Sequence, residues 1–129
     1  MQKPNSDWLI SGKVVRVGAA RRFVTNYHQG GKPKTLKTVL GSIYKDQPDT
    51  VKTIIRSIDN TSTITAKVLD RNFPGIRQLG IDIAVDTDGR IWIIEANTSP
   101  AFLTFKHLKN KTMYHRILKR FRYIRSKYR

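Results

Sequence analysis

The chain has 129 residues, with 25 Lys and Arg against 9 Asp and Glu and a formal net charge of +16. That length suits one compact domain with its own core, and the absence of cysteine excludes a disulfide scaffold, a cysteine zinc site and a thiol nucleophile. No run approaches the ~20 apolar residues of a membrane span, and the opening residues Met1 to Asp7 lack the apolar core of a secretion signal, which points to the cytoplasm. In chain order, the first third reads as a β-meander. Its runs are Trp8-Leu9-Ile10, Lys13 to Val17 and Phe23 to His28, with Ser11-Gly12 as a two-residue hairpin turn. Gly30-Gly31 and Pro33 end that sheet, and the islands Leu36, Val39, Leu40, Ile43 and Tyr44 read as a short helix.

Gln47-Pro48-Asp49 offers a helix start, with Asp49 or Thr50 as cap. Val51, Ile54, Ile55, Ile58, Thr65, Val68 and Leu69 then follow helical spacing, weakened by Thr61-Ser62-Thr63, and the helix ends before Phe73-Pro74-Gly75. Residues 79–86 and 90–97 read as two strands joined by a turn at Asp88-Gly89. From about Asn110 the tail is a helix, with Met113, Ile117, Phe121, Ile124 and Tyr128 on one face. Charge is unevenly placed. Residues 1–95 hold 15 Lys/Arg and all 9 acids, whereas residues 96–129 hold 10 Lys/Arg and no acid.

Four acids gather in one stretch: Asp82, Asp86, Asp88 and Glu95. With the hairpin centred on Asp88-Gly89, Asp82 falls opposite Glu95, Ala84 opposite Ile93 and Asp86 opposite Ile91. These side chains, with Asn97, would share one face. Ile81, Ile83, Val85, Trp92, Ile94 and Ala96 would form the other, an apolar face to be buried, with Trp92 in the core. Two opposed carboxylates repel, and a divalent cation between them removes the conflict. Two carboxylates and an amide oxygen are hard ligands suited to Mg²⁺ or Mn²⁺, with water and phosphates completing the shell. The plainer alternative is a hairpin with one solvated face.

Gly80-Ile81-Asp82 together with Trp92-Ile93-Ile94-Glu95-Ala96-Asn97-Thr98-Ser99-Pro100 resembles the metal-binding end of the ATP-grasp fold, shared with D-alanine–D-alanine ligases and ribosomal-protein glutamate ligases. Trp8, Gly12 to Gly18 and Val24-Thr25-Asn26-Tyr27-His28-Gln29-Gly30-Gly31 resemble the YheC/YheD-like branch, described as endospore coat-associated. The resemblance implies an α+β fold, an ATP-grasp C-terminal subdomain with an antiparallel sheet and helices packed on one face. It assigns Asp82, Glu95 and Asn97 as Mg²⁺ ligands, Arg16 as a catalytic phosphate or acyl-phosphate contact, and Asn26, Gly30 and Gly31 as phosphate or substrate contacts. It also implies ATP and a carboxylate as substrates, joined to an amine or thiol through an acyl phosphate.

Residues 1–109 then read as the C-terminal portion of the family sequence and 110–129 as an appended basic helix. A lysine, a phosphate-covering loop and an adenine-binding linker would come from an N-terminal half, on a partner chain if the gene is split. The chain is expected to be inactive alone. Ala101 stands where many relatives have Gly after the Pro. The alternative function is a non-enzymatic spore-coat-associated or nucleic-acid-binding module that uses the basic helix, with lipid as another anionic partner. His28 reads as a surface histidine, Asp86 and Asp88 as turn and strand-end acids, and Arg77 as a candidate partner for a hairpin acid.

Overall fold

A computed structural model describes residues 1–16, 33–86 and 88–128. The elements are β1 (Val15–Arg16), β2 (Pro33–Lys34), α1 (Leu36–Ile43), α2 (Pro48–Asn72), β3 (Gly80–Val85), β4 (Ile91–Asn97), a 3₁₀ turn (Leu103–His107) and α3 (Thr112–Lys127). The class is α+β. Among the described residues β1 and β2 pair antiparallel, as do β3 and β4, in two separate two-stranded sheets. Among the described residues no helix is long and apolar enough to cross a membrane.

The first two helices begin where local chemistry dictates. Thr35 caps α1, its Oγ1 accepting from the Thr38 N–H at 3.2 Å. Helix α2 opens on Pro48, whose missing N–H costs nothing in the first turn. Gln47 occupies the cap position, so Asp49 and Thr50 lie inside the helix rather than capping it. There Asp49 still favours the positive end of the helix dipole. The helix ends at Phe73, as expected, and Thr61-Ser62-Thr63 does not interrupt it. The Thr63 hydroxyl donates to the Asp59 carbonyl at 2.9 Å and that of Thr65 to Thr61 at 2.8 Å, so these side chains bond back to the preceding turn instead of competing with it.

Helix α2 unites two core clusters. Its buried stripe is Val51, Ile54, Ile58, Ser62 and Ala66, spaced 3, 4, 4 and 4 apart. The first half packs with Leu40, and Ile83, Val85 and Ile91 of the hairpin close over it. In the second half Ala66, fully buried, meets Trp8 and Leu79, with Ile81 alongside. Bulky Val68, expected on this face, is exposed. A small residue is what lets the Trp8 indole approach the helix.

The first sixteen residues lie along α2 and α3 rather than forming the expected meander. Leu9 pairs back onto Gln2, which also bridges to Gln78. Ser11-Gly12 is no hairpin turn. Ser11 is buried, donates to Gln2 Oε1 at 2.6 Å and accepts from Arg120 Nη1 at 2.8 Å. A Cβ on Gly12 would stand 2.6 Å from the Phe105 ring. These long-range contacts override the local turn preference of Ser-Gly. Strand β1 pairs instead with β2, Val15 opposite Lys34 and Arg16 opposite Pro33. The expected strand at 23–28 lies outside the described residues.

Two ion pairs anchor the segment to α2: Lys3–Asp70 and Lys13–Asp59, each at 2.5 Å. Lys3 holds the Asp70 carboxyl below its usual range. The buried indole N–H of Trp8 adds to that effect without reaching hydrogen-bond geometry. Helix α3 docks through Ile117 and Ile124, both buried, and through Phe121, whose ring lies 5.5 Å from that of Phe102. Arg77 makes no ion pair with the hairpin acids. Its guanidinium stacks on Tyr128, 3.8 Å from the ring centre, and donates to the Asn5 carbonyl.

Candidate metal centre

The β3–β4 hairpin pairs Gly80 with Asn97, Ile81 with Ala96 and Asp82 with Glu95. Beyond Asp82 the register shifts by one. Ile83 pairs with Ile93, Ala84 with Trp92 and Val85 with Ile91, leaving Ile94 as the extra residue of a bulge. The expected pairs Ala84–Ile93 and Asp86–Ile91 are therefore not formed. The physical reason is burial. The shift turns Ile91 and Ile93 to the side of Ile83 and Val85, and Ile91 joins the α1–α2 core. Glu95 and Asn97 stay on the opposite side with Asp82 and Gly80. The bulge lets one strand be apolar toward the helices and acidic toward the open face.

The same shift corrects the position of Trp92. Its register partner Ala84 shares the Asp82 face, so Trp92 belongs to the open side and is 54% exposed. Ile94, expected in the core, is exposed too, and so is Ile93. The Trp92 Nε1–H donates to Asp86 Oδ2 at 2.9 Å, while Asp86 Oδ1 accepts the backbone N–H groups of Asp88 and Arg90, each at 2.9 Å. Asp86 is thus the organiser of the turn, and Gly89, with φ of +78°, supplies the left-handed residue.

These donors hold the Asp86 carboxyl below its ordinary value of 3.8, the Trp92 indole first among them. The ionised carboxylate is the form the fold prefers, so its contribution is complete above pH 3.8 and is lost as pH falls through the lower folded value. Trp92 emission, read in a Trp8→Phe background, is expected to titrate with its midpoint below pH 3.8. That titration should vanish in Asp86→Asn. A transition at or above pH 4.5 in the parent would contradict the assignment.

Asp82 and Glu95 are directly opposed and exposed, and no ion pair among the described residues reaches either. In a chain with a +16 excess, two facing carboxylates without a basic partner among the described residues are a specific arrangement. Asn97 stands beside them. A Cβ on Gly80 would lie 2.9 Å from Asn97 Nδ2 and 2.9 Å from Pro100 Cβ, so the bare Gly80 backbone is the seat of both residues. That role of Gly80 was not assigned from sequence, although a glycine inside a strand pattern is itself a signal of close approach.

Two carboxylates and one amide fit a hard divalent ion that keeps open positions for water and phosphate. They do not make a closed cage. Among the described residues no three His, Cys, Asp or Glu side chains gather at one point. Of the other candidates, Arg16 ends β1 opposite Pro33. Asn26, Gly30 and Gly31 lie outside the described residues.

A sequence profile described as YheC/D like ATP-grasp matches residues 1–125. The chain belongs to the YheC/D-like ATP-grasp family. It is 29% identical over 126 residues to the endospore coat-associated protein YheC of Bacillus subtilis (strain 168), covering 93% of this chain and 33% of that protein. It is 27% identical over 101 residues to the endospore coat-associated protein YheD of the same strain, covering 78% of this chain and 21% of that one. The chain thus spans a third or less of the length of these curated relatives. No solved structure matches it.

Proposed function

We propose that this chain provides the magnesium-binding half of an ATP-grasp site. Residues 1–109 act as the C-terminal subdomain, and Asp82, Glu95 and the Asn97 amide oxygen hold Mg²⁺ or Mn²⁺ that accompanies ATP. The observation that carries the reading is the cross-strand opposition of Asp82 and Glu95 with no cation beside them among the described residues. When bound, the metal supplies neutralisation of phosphate charge. The chain's own contribution is to fix the two carboxylates by strand pairing and to keep Asn97 in place on Gly80.

Arg16, Asn26, Gly30 and Gly31 are the proposed contacts to the phosphates or to a carboxylate substrate, which the family chemistry activates as an acyl phosphate for an amine or thiol. Residues 1–129 alone are proposed to bind but not to turn over ATP, with the rest of the nucleotide site drawn from sequence or a partner outside them. The endospore coat association of YheC and YheD is proposed for this chain as well.

Calorimetry with Mn²⁺ and with Mg²⁺–ATP tests the reading. Asp82→Asn and Glu95→Gln are expected to weaken metal binding at least about tenfold, with unchanged circular dichroism because both side chains are exposed. Mn²⁺ binding that both variants leave intact would refute it.

A further inference from the structure

A second polar site lies away from the acidic hairpin face. Pro4 and Asn5 form one wall of an open cleft of about 400 Å³, and Arg116, Lys119, Arg120 and Tyr123 of α3 form the other. The four α3 residues fall at i, i+3, i+4 and i+7, so they share one stripe of the helix. No acidic side chain lines the cleft, and none of the described ion pairs involves its three cations.

The walls are held in place. Arg120 Nη1 donates to Ser11 Oγ at 2.8 Å and to the Ile10 carbonyl at 3.3 Å, which leaves its remaining N–H groups for another acceptor. Ser11 is itself fixed by Gln2, whose Nε2 donates to the Ile117 carbonyl at 3.1 Å. Across the cleft, Asn5 Oδ1 accepts from the Tyr123 hydroxyl and from Lys127 Nζ, both at 3.0 Å. Partial burial, and after it repulsion from Arg116 one turn away, lowers the Arg120 pKa. An anion in the cleft would relieve the repulsion and accept from Arg120, whose guanidinium the Ser11 and Ile10 contacts hold in place.

We infer that the cleft between Pro4-Asn5 and α3 binds a small, multiply charged phosphate-bearing anion through Arg116, Lys119 and Arg120. Three cations and no carboxylate match a ligand of two or three negative charges, a phosphomonoester or a diphosphate. The site needs no divalent metal, so it stands independently of the magnesium reading. A cleft of this volume admits a phosphate or diphosphate group.

Inorganic pyrophosphate, titrated by calorimetry into the full chain in EDTA, is the probe. Arg116→Gln with Lys119→Gln is expected to weaken binding about tenfold or more. The control is Arg122→Gln with Arg125→Gln, which removes the same charge from exposed positions of α3 outside the cleft and is expected to change affinity less than about threefold. Equal losses in the two pairs would mean diffuse attraction and overturn the assignment. So would an absence of pyrophosphate binding. A single-stranded oligonucleotide that bound more tightly than pyrophosphate and weakened equally in both pairs would assign the charge to a polymer surface instead. Matching melting temperatures in both double variants separate loss of the site from loss of the fold.

Discussion

Replacing Gly80 by alanine is expected to weaken divalent-cation binding by about tenfold while the chain still folds. The new methyl group would meet Asn97 Nδ2 and Pro100 Cβ, each at 2.9 Å, closer than non-bonded atoms come. The Asn97 amide is the end of a side chain and can swing away. The Pro100 ring cannot do so without moving the backbone after β4. The expected stability cost is about 1–3 kcal/mol, the usual range for overpacking, and the larger consequence falls on Asn97. Its amide would leave its seat, and a metal held as proposed would keep only Asp82 and Glu95. Mn²⁺ binding by calorimetry or by paramagnetic broadening would read the loss. If Gly80→Ala binds as tightly as the parent and Asn97→Ala does not, Gly80 has no part in placing the amide.

Replacing Trp8 by alanine is expected to destabilise the fold by about 3–5 kcal/mol, a large share of the ~5–15 kcal/mol that holds a domain of this size. Trp8 is 7% exposed, and with Ala66 and Leu79 it is the centre of the cluster that joins the N-terminal segment to α2. Removing the indole opens a cavity that the backbone of α2 cannot fill. Trp8→Phe should cost only about 1–2 kcal/mol, because it keeps most of the apolar ring and removes a buried N–H that finds no hydrogen-bond partner. Urea unfolding of the two variants, read by circular dichroism, measures the difference. Equal costs would show that the indole nitrogen, and not the ring volume, matters at this position.

The parts of the fold legible in the sequence are those set by short-range pattern. The 3.6-residue period marks α2 and α3, Phe73-Pro74-Gly75 marks the end of α2, and Asp88-Gly89 marks the hairpin turn. The opposition of Asp82 and Glu95 was legible as well, since a two-residue alternation counted from that turn reaches the right pair. It reaches that pair even though the count fails in between. Strict alternation contains no bulge, and the bulge at Ile94 lets Ile91 pack, partly buried, against the α1–α2 core, a condition set by residues far along the chain. For the same reason Trp92, the largest apolar side chain of β4, lies on the open face and bonds to Asp86.

Small and polar residues gave the weakest signal and were decided by distant partners. Ala66 and Ser62 carry the buried stripe of α2 where Val68 was expected, because Trp8 approaches over Ala66. Ser11-Gly12 has the composition of a turn, yet Gln2, Arg120 and Phe105 hold it in another role. Sequence by itself determined that this is a strongly basic, cysteine-free α+β chain with an acidic pair on one hairpin, because composition, helical period and turn chemistry are local properties. Tertiary structure alone decided which side of β4 faces the core, that Gly80 seats Asn97, and that Arg116, Lys119 and Arg120 converge on a cleft with Asn5, because each depends on residues brought together by packing across long stretches of chain.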